Sequence, residues 1–186
     1  MSELTPQGPL DGRTIEQDDI RVIASDRAPR FNLRGEASAV AARLEPLTGL
    51  VPPTTPDTVV SRTTGRILWL GPDEWLLEPD PKNGLSAEQL AQAVPGRGVA
   101  LCDVSDGLVA IQLQGPRAAE TLAAGAPLDL RARPVGSCAQ TRLAQASVIL
   151  TREAENTWQL LVRRSMADYL WRWLDAALLR LTPIPV

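Results

Sequence analysis

Few side chains in this 186-residue chain have types and spacing suited to chemistry. "VALCDVSDG", residues 99–107, places a thiol, Cys102, beside two carboxylates, Asp103 and Asp106. Two neighbouring carboxylates are what an acid–base step uses. A second thiol, Cys138, lies in "GSCAQT" with Arg133 and Arg142 a few residues away. A thiol becomes a nucleophile only when a base or cation stabilises the thiolate. The chain has no histidine, which excludes Ser-His-Asp and Cys-His devices and any histidine-containing metal site. Two thiols are also too few for a four-cysteine zinc site. Cys102 stands in an apolar run and is expected to be a buried free thiol. Asp103 and Asp106, close before a glycine, are expected to make turns by bonding their own backbone. "PGRG" and "GPRAAE" lack the spacing and the lysine of a phosphate loop. No nucleophile, base and oxyanion device come together, so no catalytic, cofactor-binding or metal residue is assigned.

The tryptophans are the other candidates. "RILWLGPDEWLLEP", residues 66–79, carries Trp69 and Trp75, two of five tryptophans in a chain with one Phe and one Tyr. Gly71-Pro72-Asp73 between them is turn chemistry, which makes the stretch a hairpin. Stacking on nucleic-acid bases requires a basic groove, and Asp73, Glu74 and Glu78 surround this turn instead. Packing within the hairpin or core is the expected role of the pair, with Trp75 also a candidate partner contact.

The elements that must position these residues can be read from periodicity. Residues 1–19 are rich in Pro, Gly and acid and are expected to be an arm. "IRVIA" and "RFNLR" are strand candidates, and "GEASAVAARL" is a helix that Pro46 limits. Ser86 and Gln89 form a possible capping box for a short helix. "GLVAIQLQ" is a half-buried strand. Pro116 opens the next helix and Gly125 is its expected left-handed cap. "SCAQTRLAQASVIL" is one bent strand or two, and "TWQLLVRR" is another. In the last helix, from about Ser165 to Leu181, residues Met166, Tyr169, Leu170, Trp173, Leu174, Ala177 and Leu181 fall on one face. Trp171 and Leu178 sit on its flank and Leu179 falls inside the polar face, so Trp75, Trp171, Leu178 and Leu179 are the candidate partner interface.

The order of elements implies an α+β fold, mostly antiparallel sheets with packed helices, over residues 20–186. It is either one domain or two halves, 20–98 and 99–186. Hydrophobic residues make up 44% and charged residues 22%, the composition of a soluble globular chain. The net charge of −3, with Lys82 the only lysine, argues against nucleic acid. No stretch approaches a membrane span, and the polar, acidic start is not a secretory signal, so a cytoplasmic location is expected.

Several motifs in order carry a resemblance. "RILWLGPDEWLL", "DVSDGLVAIQLQGPRAAETLAAGAPLDL", "GSCAQTRLAQASVIL" and "WQLLVRRSMADYLWRWL", spanning Arg66 to Leu179, resemble the gamma subunit of heterotetrameric sarcosine oxidase. The resemblance implies a noncatalytic subunit serving assembly and stabilisation. The complex it implies oxidatively demethylates sarcosine to glycine, forming hydrogen peroxide and methylene-tetrahydrofolate. That complex carries FAD, FMN, NAD and zinc and uses tetrahydrofolate, with no cofactor placed on a residue of this chain. Alpha, beta and delta subunits are the implied partners, alpha in direct contact. The implied fold resembles the folate-binding aminomethyltransferase (T-protein). That family's paired folate-holding aspartates have no counterpart in "AQASVILTREAEN", residues 144–156. The alternatives are a gamma subunit of a related N-methyl amino acid demethylase and a stand-alone folate-binding protein.

Overall fold

The computed structural model describes residues 8–17, 19–25 and 28–181. Along the chain run β1 (Thr14–Gln17), β2 (Ile20–Ser25), β3 (Phe31–Gly35), α1 (Ala37–Thr48), β4 (Val59–Arg62), β5 (Gly65–Gly71) and β6 (Glu74–Pro79). They are followed by α2 (Ala87–Ala93), β7 (Val99–Asp103), β8 (Leu108–Gln114), α3 (Ala118–Ala123), β9 (Cys138–Leu143), β10 (Ala146–Ala154), β11 (Thr157–Arg163) and α4 (Ala167–Leu181). This is an α+β fold with antiparallel sheets. Two compact units divide it, each drawing on segments far apart in sequence. One consists of residues 1–27, 106–135 and 140–186, the other of 28–105 and 136–139.

The first unit is built on a six-stranded sheet, β1-β2-β8-β11-β10-β9. Ile20 and Val22 of β2, Ile111 and Leu113 of β8, Trp158, Leu160 and Val162 of β11, and Val148 and Leu150 of β10 form one core with α3 and α4. The register places these side chains together: Trp158 lies opposite Leu113, Leu160 opposite Ile111 and Leu150 opposite Leu160. Of the expected arm, residues 1–7 and 18 lie outside the described residues. Thr14–Gln17 is the edge strand β1, paired with β2, and Leu10 is buried in the core. Isoleucine at position 15, alternating with polar neighbours, is what gives this acidic stretch a packing face.

The last helix is turned relative to the face read from its periodicity. Ala167, Leu170, Trp171, Leu174, Ala177 and Leu178 are buried, while Tyr169 is exposed and Trp173 half-buried. Both rotations bury leucines at helical spacing, so packing against the sheet decides between them. Trp173 instead lies over Gly125, where an added Cβ would stand 2.6 Å from its ring. That close approach is what requires glycine at 125, whose φ is not among the positive values, so it is not a left-handed cap.

The second unit is a five-stranded sheet, β4-β5-β6-β3-β7. Phe31, Leu33, Ile67, Trp75, Leu77 and Val99 pack with Val40 and Leu44 of α1 and Leu90 of α2. Helix α1 continues past Pro46 to Thr48. Pro46 cannot bond back to the preceding turn. The helix closes all the same because the Thr48 hydroxyl donates to the Leu44 carbonyl at 2.8 Å and Gly49, at φ 69°, donates its N–H to Glu45. Ser86 and Gln89 form the expected capping box on α2. Residues 136–139 complete this unit, with Val59 donating to the Gly136 carbonyl and Cys138 to that of Asp57.

Candidate functional site

The Trp hairpin has the expected form. β5 and β6 pair with Trp69 directly opposite Trp75, and a register shift follows before Gly71. Trp75 is fully buried, and its indole N–H donates to the Pro53 carbonyl at 2.8 Å. A partner contact through Trp75 is therefore corrected: ring and polar edge are both used inside the unit. Trp171, 7% exposed, and Leu178, fully buried, are likewise core residues of the first unit. Their flank position became the core face when the helix turned. Of the four candidate interface residues only Leu179 faces outward, at 67% exposure.

The acidic turn is not bare. Glu74 accepts hydrogen bonds from Asn32 at 2.7 Å and Arg34 at 2.8 Å. Glu78 is nearly buried and is gripped on both oxygens, by Arg30 Nε at 2.7 Å and Arg66 Nε at 2.6 Å. Arg30 is 2% exposed. The backbone N–H of Arg30 donates to Ser105 Oγ at 2.9 Å, so this charged triad is also tied to the residue after β7. Composition and periodicity do not reveal the triad. The only signal is the cross-strand pairing of Arg66 with Glu78, which appears once the hairpin register is known.

Asp103 is the turn-maker expected: its carboxylate accepts the Ser105 N–H at 2.8 Å and the Ser105 hydroxyl at 2.5 Å. Cys102 is exposed rather than buried. In the β3–β7 register it lies opposite Asn32, on the face away from Leu33 and Leu101. Cys138 is buried and free, its thiol donating toward the Trp69 carbonyl at 3.4 Å. Among the described residues no three His, Cys, Asp or Glu side chains converge, and no helix is long and apolar enough to cross a membrane.

Two further features of the first unit escaped the sequence reading. Arg152 lies 5.4 Å from the ring centre of Trp158 and donates to the carbonyls of Arg133 and Glu155, clamping two loops. The other is an open groove of about 540 Å³ lined by Pro9, Asp106, Gly107, Arg163, Arg164 and Ser165. It brings together the "VRRS" run and the second aspartate of "DVSDG".

The sequence and the fold have counterparts among known proteins. The model of the "Sarcosine oxidase, gamma subunit family" matches residues 34–179. The chain is 34% identical over 140 residues to sarcosine oxidase subunit gamma of Corynebacterium sp. (strain U-96), covering 74% of this chain and 68% of that protein. It is 34% identical over 114 residues to sarcosine oxidase subunit gamma of Arthrobacter sp, covering 60% and 56%. Among solved structures it resembles a chain of heterotetrameric sarcosine oxidase from Corynebacterium sp. U-96 in complex with pyrrole 2-carboxylate. That likeness has a TM-score of 0.81 and 28% identity over 95% of this chain and 93% of that one. It also has the fold of the glycine cleavage system aminomethyltransferase T from Bartonella henselae. There the TM-score is 0.63 and the identity 15%, over 84% of this chain and 46% of that one. With the family pattern running from β3 almost to the end of α4, the chain belongs to the sarcosine oxidase gamma subunit family.

Proposed function

We propose that this chain is the noncatalytic gamma subunit of a heterotetrameric sarcosine oxidase, with a role in assembly and stabilisation. The observation that carries this reading is the likeness, over nearly the full length of both chains, to a chain of such an oxidase. The site chemistry supports it. Asp103 is occupied by Ser105, Glu78 by two arginines and Cys138 by backbone carbonyls, so these three groups are held in structural bonds. The flavins, NAD and zinc of the complex then belong to the alpha, beta and delta subunits, with alpha the direct neighbour. The complex oxidises the N-methyl group of sarcosine, releases glycine, reduces oxygen to hydrogen peroxide and passes the methyl carbon to tetrahydrofolate.

Coexpression with the other three subunits tests this. The purified chain alone should show no flavin absorbance and no sarcosine oxidation, and in coexpression it should copurify with a larger subunit. Isolation as an active monomer with its own flavin would overturn the proposal.

The aminomethyltransferase fold favours one other reading, a stand-alone folate-binding protein. Residues 144–156 bear on it: they form the turn into β10 and the strand itself, and contain no aspartate. Of their two acids, Glu153 and Glu155, the first accepts the Gln112 amide at 2.7 Å. Calorimetric titration of the lone chain with tetrahydrofolate separates the two readings, since micromolar binding would favour the second.

A further inference from the structure

The geometry points to the groove at the β11–α4 junction as a docking site for an acidic segment of a partner subunit, with Arg163 as its anchor. This deepens the proposed function and rests on it. The groove lies wholly within the first unit. Arg163 ends β11, Arg164 and Ser165 form the short 3-10 turn leading into α4, Asp106 and Gly107 precede β8, and Pro9 contributes from the segment before β1.

Its charge is what selects the occupant. Arg163, Arg164 and Asp106 all contribute to the lining. Asp106 and Arg164 each have partners in the fold. Arg163 is exposed and pairs with no carboxylate among the described residues. No side chain caps the turn that begins there, and α4, 15 residues long, follows with Asp168 in its first turn, where it pairs with Arg13 and Arg172. Among the described residues, Arg163 thus presents an unpaired positive charge at the groove of a chain whose net charge is −3. Such a charge steers an oppositely charged surface into register.

Shape decides between a small anion and a protein segment. The groove is open rather than enclosed, so a free anion in it stays hydrated and is screened by salt. A polypeptide segment laid over Pro9 and Gly107 would exclude that water and strengthen the pairing with Arg163. The occupant is therefore an Asp- or Glu-bearing stretch of another subunit.

The test uses the full chain and a partial assembly made by coexpressing the other three subunits without it. Binding of the chain to this assembly is measured across salt concentrations for the parent, R163E, R163K and R97E, the last reversing an exposed charge in the second unit. R163E should weaken binding by about tenfold or more and flatten its salt dependence. R163K should keep most of the affinity, R97E should bind as the parent does, and all unfolding midpoints should coincide. Three results overturn the proposal while leaving the gamma-subunit reading intact: R163E binding like the parent, R97E losing as much as R163E, or inorganic phosphate saturating the groove of the lone chain without competing with the partial assembly. A parent chain that does not join the partial assembly at all removes the reading itself, and the docking site with it.

Discussion

Adjacent residues in this molecule have opposite fates, and the difference is measurable. Leu178 is fully buried against the sheet of the first unit while Leu179 is exposed. Leu178→Ala should cost about 2–5 kcal/mol through lost burial and the cavity left behind. Leu179→Ala should stay within about 0.5 kcal/mol of the parent. Urea unfolding of the two variants checks both. The Arg30–Glu78–Arg66 triad belongs to the same scale. Glu78→Ala would strand Arg30 in the interior without a counter-charge, whereas Arg66, partly exposed, can reach water. The expected loss is about 3–5 kcal/mol. The double variant R30M/E78L should recover much of it, because a buried ion pair replaced by apolar side chains of similar volume is often neutral. If the single and double variants lose equal stability in denaturant titrations, the stranded Arg30 charge is not the source of the loss.

At the scale of elements, α1 provides a test that depends on pH. Its N-cap is Glu36, whose carboxylate accepts from the Ser38 hydroxyl and from the backbone N–H groups of Ser38 and Ala39. The Ser38 hydroxyl is the larger cause and the two N–H groups follow, and together they hold Glu36 below its ordinary range. The folded chain then binds fewer protons here than the unfolded chain does. The stabilisation is complete above the unfolded pKa and is lost as pH falls through the lower, folded one. Unfolding midpoints of the parent and Glu36→Ala should differ most near neutrality and converge in acid. A gap that stays constant across that range would mean the carboxylate charge does not matter to the cap. The hairpin and the capping box of α2 were legible in sequence because each is specified within a few residues: Gly-Pro-Asp between two strands, and Ser86 three residues before Gln89. The rotation of α4 was not legible. Two overlapping apolar faces, one with Tyr169 and Trp173 and one with Trp171 and Leu178, satisfy the same spacing.

At the scale of the whole chain, the two units draw on distant segments, so their composition does not follow from position in the sequence. Residues 136–139 join the second unit through bonds to Asp57 and Val59, a pairing that spans about half the chain. If the proposed role holds, the most direct whole-molecule readout is copurification with the other subunits, together with its loss on reversing the charge at Arg163.

Local chemistry in the sequence determined the α+β class, the hairpin, the short helices and the absence of any histidine-based device, because each depends on residue type or on spacing of a few residues. The ordered motifs from Arg66 to Leu179 were enough to indicate the family that the full comparison supports. Tertiary structure alone decided which face of α4 is buried, that Trp75 and Trp171 are interior, that Cys102 is exposed, that Glu78 is shared by two arginines, and that Arg163 and Asp106 line one groove. The physical reason is common to all of them. Burial and ion pairing depend on contacts between segments far apart in sequence, and a one-residue change of strand register or a part-turn of a helix reverses which side chains face inward.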